Sequence, residues 1–236
     1  MPMNKTSQTL AESMVEAIKC HQSGDLDRAE SEYRAILHQK PDTRSALINL
    51  GVILRQKKQF AEAEHCYAQA LKNNPDDLDA LGNCGNLFMV QDRLVEAEGY
   101  FRRILNISPR NAPTLYTLAT VLRLAGKLES EIKNLYKQAW NLDPEGIGQV
   151  AAVYLSVMHY LNDEHWESQY WLPRASGLLE KDPIALKGPR NYFKLMKQLL
   201  DTTNCRKVAT PKNYGTGTLF SHHHWVELSL ELLHLV

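Results

Sequence analysis

Two short segments near the C-terminus contain residue types that could do chemistry. His222, His223 and His224 are adjacent, so their side chains point in different directions, and no Asp, Glu or Cys stands at ligand spacing. The glycine-containing segment Tyr214–Thr218 lacks the lysine of a phosphate-binding loop and the third glycine of a dinucleotide fingerprint. No G-x-S-x-G or H-E-x-x-H motif occurs. We therefore expect no metal, no cofactor and no enzymatic activity.

A different kind of chemistry, recognition of a polypeptide, is suggested by side chains that recur along the chain. Asn83 follows Asn49 at the same interval in sequence at which Thr117 follows Asn83. A carboxamide both donates to and accepts from a peptide backbone, and arginine pairs with carboxylates. The candidate binding residues are Asn49, Arg55, Asn83, Asn86, Tyr116, Thr117 and Arg123. The alternative, that these are solvated residues on helix surfaces, stays open at this point.

The composition narrows the class of partner and the place of action. Lys plus Arg and Asp plus Glu both number 27, so no net field favours nucleic acid or an anionic membrane. Four widely spaced cysteines without a C-x-x-C pair argue against zinc and disulfides. The N-terminal segment lacks the apolar core of a secretory signal, and no stretch is long and apolar enough to span a membrane. We expect a cytoplasmic protein with a protein or peptide partner.

A repeat places the candidate residues at equivalent points of successive units. Four prolines close its units at intervals of 34, 34 and 35 residues by subtraction: Pro41, Pro75, Pro109 and Pro144. In the unit from Arg44 to Asp77, apolar residues form one helical stripe in each half. These stripes are Leu47, Leu50, Gly51 and Leu54, then Ala63, Tyr67, Ala70 and Leu71. Because Gly51 and Ala63 are small enough for two helices to approach closely, each unit is predicted to be a helical hairpin.

This arrangement of small, aromatic and proline residues resembles the tetratricopeptide repeat (TPR) family over residues 10–144, in four units. The resemblance implies an all-α fold, a right-handed TPR solenoid whose first helices line a concave groove. Inward positions then include Ile48 as well as the candidates above. The repeats are similar to those of the TPR arm of O-linked N-acetylglucosamine transferases, which carries an asparagine ladder; Asn49 and Asn83 match two rungs, and Thr117 departs. Ile48 and Gly82 replace the lysine of chaperone-binding TPR adaptors, so we do not expect binding of chaperone tails.

The repeat weakens after Pro144. Residues 145–186 are predicted to form a degenerate fifth hairpin or cap, with helices over 149–161 and 164–180 and a break at Pro173. The bulky Trp166, Tyr170 and Trp171 favour a cap. Residues 187–236 are predicted to be an irregular tail with a terminal apolar helix. That tail could pack back on the repeats, mediate self-association, or begin a further domain.

These observations predict a protein–protein interaction scaffold that binds a partner peptide in the groove of the solenoid. Two other roles stay open. The chain could be the N-terminal substrate-recruiting arm, or a fragment, of a larger bacterial enzyme of glycosyltransferase or sulfotransferase type. It could also assemble with copies of itself through the tail.

Overall fold

A computed structural model describes residues 5–162 and 164–179. The described chain is helical throughout and contains no β-strand. The α-helices are α1 Lys5–Ser23, α2 Leu26–Gln39, α3 Arg44–Gln56, α4 Phe60–Asn73, α5 Leu78–Val90, α6 Leu94–Ile107, α7 Ala112–Leu124, α8 Glu129–Leu142, α9 Ile147–Leu161 and α10 His165–Trp171. A 3₁₀ helix, Leu172–Leu179, follows α10.

The described helices are arranged as hairpins in two compact units that divide between Ile107 and Ser108, and each unit is described by itself. In the first unit, α1 packs on α2, α3 on α4 and α5 on α6, while α2 also contacts α3 and α4 contacts α5. In the second unit, α7 packs on α8 and α9 on α10, and α8 joins the two pairs by packing on α9. Each unit is thus a stack of hairpins, in agreement with an all-α solenoid class.

The turn inside each of the first four hairpins contains a residue with left-handed backbone geometry. These residues are Gly24, Lys58, Asp92 and Gly126, with φ of 82°, 61°, 59° and 63°. They follow one another at a constant interval in sequence, so the chain reverses at the same point of each repeat. Glycine adopts this geometry without strain, whereas lysine and aspartate do so at a cost of about 1–2 kcal/mol.

Close packing within a hairpin depends on glycine in the first helix. A Cβ built on Gly51 would lie 2.4 Å from Cε1 of Tyr67, and one on Gly85 would lie 2.6 Å from Cζ of Phe101. Both aromatic rings are buried. The predicted steric role of Gly51 is confirmed, and the group for which it leaves room is the Tyr67 ring of the same hairpin.

Successive hairpins of the first unit are joined by a buried carboxylate. Asp77 caps α5, accepting hydrogen bonds from the backbone N–H groups of Asp79 and Ala80 at 3.1 Å each. Arg44, at the start of α3, donates to the same carboxylate through Nη2 at 2.8 Å. The Arg44 guanidinium holds the pKa of Asp77 below its usual range, although burial acts in the opposite direction. This contact therefore fixes the starts of two first helices relative to each other.

A pair of serines replaces the small residues in the last described hairpin. The hydroxyls of Ser156 in α9 and Ser168 in α10 each donate to the backbone carbonyl of the other at 2.9 Å. Both residues are completely buried. Their separation in sequence equals that between Gly51 and Ala63, so the helices cross at the same point of the hairpin.

The second helix of this hairpin is shorter than predicted. It is α-helical only to Trp171, and the chain continues as a 3₁₀ helix because Pro173 cannot donate to a continuing α-helix. Trp171 is buried edge-on against Trp140, with ring centroids 5.5 Å apart. Trp166 differs, since 73% of its surface is exposed.

Several predictions fall outside the described residues. These are the irregular tail 187–236 with its terminal apolar helix, the histidines 222–224 and the glycine-containing segment 214–218. None of the helices that the structure describes has the length and apolar character needed to cross a membrane.

Candidate peptide-binding surface

The first helices of the three hairpins in the first unit share one partly solvent-exposed face. We call it the first-unit face and define it by Val15, Ile18, Asn49, Arg55, Asn83 and Asn86. Its four polar members are half-buried. Contact between α1 and α3 is made by Met14 and Ser45, with Oγ and Sδ 3.9 Å apart, and α3 packs directly on α5. The face therefore extends continuously across three helices.

The two repeated asparagines use their amide N–H groups in different ways. Nδ2 of Asn49 donates to the hydroxyl of Tyr33 on the preceding hairpin at 3.2 Å. Nδ2 of Asn83 instead donates to the backbone carbonyl of Asp79, one turn earlier in α5, at 2.9 Å. In both residues a donor is engaged within the protein, whereas the described chain offers no donor to either Oδ1. The Asn86 side chain makes no hydrogen bond within the described chain. The face thus presents carboxamide acceptors.

Arg55, near the end of α3, lies beside Tyr67 of α4. Its charge opposes the effect of burial, which raises the pKa of Tyr67 to about 12. The corresponding residues of the next hairpin are Met89 and Phe101, which have neither the charge nor the hydroxyl. In the preceding hairpin the corresponding residues are His21 and Tyr33, whose rings meet edge-on, so a tyrosine at this position does not require an arginine.

The candidates of the second unit lie in an aromatic cluster. Tyr116 has its ring centroid 5.8 Å from that of Tyr136 and 6.3 Å from that of Tyr154. Tyr136 and Tyr154 are stacked at 5.7 Å, and the guanidinium of Arg123 lies 4.9 Å from the centroid of Tyr154. Burial would lower the pKa of Arg123, but the tyrosine oxygens outweigh it and the pKa is raised. Burial likewise raises the pKa of Tyr116. Arg123 is thus a fixed cation on a packed surface.

Thr117 does not behave as a third rung of an asparagine ladder. Its hydroxyl donates to the backbone carbonyl of Pro113 at 2.8 Å, within its own helix. Thr117 also belongs to the second unit, so the structure brings Asn49, Arg55, Asn83 and Asn86 together as one set and Tyr116, Thr117 and Arg123 as another.

Sequence reasoning misplaced one residue of the first-unit face and missed two. Ile48 was expected in the groove, but it is buried with Ala70 and Ala80. The prediction is wrong because this large aliphatic side chain is packed in a core cluster that includes residues of both α4 and α5. Val15 and Ile18 are 51% and 36% exposed at the α1 end of the face. Val15 and Ile18 lie one repeat before Asn49 and Val52 in the sequence, and this equivalence could have identified them as residues of the same face.

The thiols of the first unit are not placed for nucleophilic chemistry. Cys20, Cys66 and Cys84 are buried and unpaired in disulfides. Burial raises the pKa of Cys66 to about 11 and that of Cys84 to about 12, so both are protonated at neutral pH. Among residues 5–162 and 164–179, no three His, Cys, Asp or Glu side chains are grouped as metal ligands.

Hairpins that recur at a constant interval in sequence define the class of α-helical repeat proteins. The chain matches the family model of the tetratricopeptide repeat over residues 22–64 and 54–114. Residues 22–114 therefore contain tetratricopeptide repeats, and the predicted resemblance is confirmed there. A comparison with curated proteins gives no match.

Solved structures with the same fold include several repeat proteins. A pilF structure from Pseudomonas aeruginosa matches with a TM-score of 0.67 and 15% identity, over 97% of this chain and all of that chain (100%). MamA from Desulfovibrio magneticus RS-1 matches with a TM-score of 0.64 and 16% identity, over 77% and 100% of the two chains. A mutant O-GlcNAc transferase from Thermobaculum terrenum matches with a TM-score of 0.55 and 17% identity, over 59% of this chain and 27% of that enzyme.

At these identities the similarity is one of fold. Repeats of this type stack into extended surfaces that bind other proteins, and scaffolding is their usual role. The fold and the family together thus support a protein-interaction scaffold.

Proposed function

We propose that this protein is an interaction module that holds an extended segment of a partner protein along the first-unit face. The observation that carries the proposal is the state of the two repeated asparagines. Each carboxamide is oriented by a hydrogen bond from its own Nδ2, which leaves Oδ1 of Asn49 and Asn83 to accept from a ligand. A peptide backbone supplies such donors at regular intervals.

The spacing of the helices suits an extended ligand. Packed helices have axes about 8–10 Å apart. Backbone N–H groups two or three residues apart in an extended chain are separated by about 7–10 Å, at about 3.3 Å per residue. One segment can therefore donate to Asn49 on α3 and to Asn83 on α5 at the same time. Asn86, one turn further along α5, is available to the same segment.

The α1 end of the face favours an apolar side chain on the partner. Val15 and Ile18 together expose branched aliphatic surface next to the carboxamides. Burying such surface contributes about 25 cal/mol per Å². We therefore expect the bound segment to place a hydrophobic residue against α1 while its backbone bonds to the asparagines.

The proposed role involves no catalysis and takes place in the cytoplasm. The equal numbers of acidic and basic residues favour a protein partner over nucleic acid.

Selection from a displayed library of random peptides tests the proposal, using the full chain as bait. An enriched peptide is then measured by fluorescence anisotropy against the wild type and the Asn49→Ala, Asn83→Ala double variant. Loss of two hydrogen bonds should weaken binding about 10-fold or more. A matched control is Asn73→Ala with Asn106→Ala, which removes two exposed asparagines from the second helices α4 and α6. Equal affinity of the double variant and the wild type, with native circular dichroism, would reject this surface.

A second candidate role is the substrate-recruiting arm of a larger glycosyltransferase or sulfotransferase. Support for it is the fold match to 27% of an O-GlcNAc transferase chain. Intact-mass measurement of the protein from its native cells tests this role. A mass well above 26.9 kDa is expected if a catalytic domain follows, and a mass of 26.9 kDa would contradict it.

A further inference from the structure

Arg55 differs from every other arginine of the first unit. Six arginines of that unit form ion pairs with Asp or Glu: Arg28, Arg34, Arg44, Arg93, Arg102 and Arg103. Arg55 has no carboxylate partner within the described chain. It is also the only one of the seven on the first-unit face. The cation without a counter-charge is therefore located where a ligand is proposed to bind.

The surroundings of Arg55 hold it in place without neutralising it. Its Nε is buried without an acceptor among the described residues, and the guanidinium lies beside the buried Tyr67 hydroxyl, where its charge and hydrogen bonding oppose the rise that burial causes in the pKa of Tyr67. Tyr67 is completely buried, and its ring is fixed against Gly51. A half-buried guanidinium loses part of its hydration, and the loss is compensated when a carboxylate pairs with it. The nearby tyrosine hydroxyl is a neutral neighbour and leaves the positive charge intact.

We propose that Arg55 is the carboxylate-binding residue of the first-unit face, and that the partner segment is acidic at the position that reaches it. The inference rests on the proposed function and specifies its ligand. Asn49 precedes Arg55 on the same helix by about 1.7 turns, which is about 9 Å along the axis at 1.5 Å per residue. In an extended segment this distance spans about three residues. The acidic residue is therefore expected about three residues from the one whose N–H bonds to Asn49.

The proposed source is the side-chain carboxylate of that acidic residue; a C-terminal carboxylate has the same chemistry, so the experiment separates the two. The probe is the peptide enriched from the displayed library, synthesised with a free or amidated C-terminus and with each Asp or Glu replaced by its amide. Removing the carboxylate that pairs with Arg55 should weaken binding to the wild type about 10- to 100-fold. If amidation of the C-terminus weakens binding in this way, the C-terminal carboxylate pairs with Arg55. If a single Glu→Gln or Asp→Asn change does so, a side-chain carboxylate pairs with it.

Variants of the protein show whether the effect involves Arg55. Arg55→Gln should weaken binding of the acidic peptide by a similar factor, and this variant should bind the acidic and amide peptides with equal affinity. Arg55→Lys should recover part of the affinity, because lysine keeps the charge but not the planar fork. Arg28→Gln is the matched control, since it removes the same charge from an exposed arginine that pairs with Glu16 and is expected to leave affinity unchanged.

Other outcomes overturn the inference in distinguishable ways. If the Asn49→Ala, Asn83→Ala variant loses binding while no carboxylate of the peptide affects it, the proposed function holds and the role of Arg55 is wrong. If no peptide binds the face, both are wrong. If the wild type self-associates in sedimentation and Arg55→Gln does not, the occupant is a second copy of the chain and the proposed partner is refuted.

Discussion

Two glycines in one helix provide an internal comparison of packing in the repeat. Gly82 and Gly85 are both interior to α5, so replacing either with alanine gains the same helix propensity, about 1 kcal/mol. A Cβ on Gly82 would lie 3.8 Å from Cδ1 of Ile104, which is ordinary contact. A Cβ on Gly85 would lie 2.6 Å from Cζ of Phe101, about 1 Å closer than the optimum between carbon atoms.

The buried ring leaves little room to relieve that overlap. Phe101 is only 3% exposed, so it can move only by displacing its neighbours. Such overpacking costs about 1–3 kcal/mol. Gly82→Ala is therefore expected to be more stable than the wild type by about 1 kcal/mol. Both variants gain the same helix propensity. Gly85→Ala should therefore be less stable than Gly82→Ala by the full packing cost of about 1–3 kcal/mol.

Thermal and urea denaturation followed by far-UV circular dichroism measure this difference. For a chain of this size it corresponds to roughly 2–12 °C between the two midpoints. Replacing Phe101 with leucine relieves the contact, so the cost of Gly85→Ala should shrink in that background. Equal stability of Gly82→Ala and Gly85→Ala would refute the close approach of α5 and α6 at Gly85.

Three further variants test other contacts by the same denaturation assay. Asp77→Asn should be destabilising at neutral pH. Pairing with Arg44 depresses the pKa of Asp77 in the folded protein. The stability that this carboxylate adds is therefore present above its unfolded pKa of about 3.9 and is lost as pH falls through its folded pKa. A difference in stability between Asp77→Asn and the wild type that persists in acid would contradict this explanation. Lys58→Gly should add about 0.5–1 kcal/mol by relieving left-handed geometry, and a loss would show that the lysine side chain matters more. Gly148→Ala should cost more than about 2 kcal/mol, since its Cβ would lie 2.3 Å from the backbone oxygen of Asp143; wild-type stability would contradict that approach.

The hairpin fold could be predicted because its determinants are local and periodic. The closing prolines recur every 34 or 35 residues, and the stripes of apolar residues and the small residue at the helix crossing follow the same repeat. The crossing of α9 and α10 was harder to recognise, since Ser156 and Ser168 take the place of glycine and alanine there. Two serines pack closely only because each satisfies the carbonyl of the other, and that reciprocity is a property of three-dimensional contact.

The binding surface could be predicted only in part, because residues at one repeat phase differ in their neighbours. Asn49 reaches a tyrosine hydroxyl on the preceding hairpin, whereas Asn83 bonds to its own helix. Arg55 and Arg123 are equivalent in sequence, yet Arg123 is surrounded by three tyrosines and Arg55 lies beside one. The repeat phase identifies which residues share a face, and side-chain contacts decide what each of them can bind.

The most direct test of the binding surface is a ¹⁵N NMR titration of the full chain with the selected peptide. The side-chain amides of Asn49, Asn83 and Asn86 and the Nε–H of Arg55 are reporters on the face itself. We predict saturable shifts of these signals together with backbone shifts in α1, α3 and α5. Shifts confined to α2, α4 and α6, or to the second unit, with the four reporters unchanged, would contradict the assignment of the first-unit face as the peptide-binding surface.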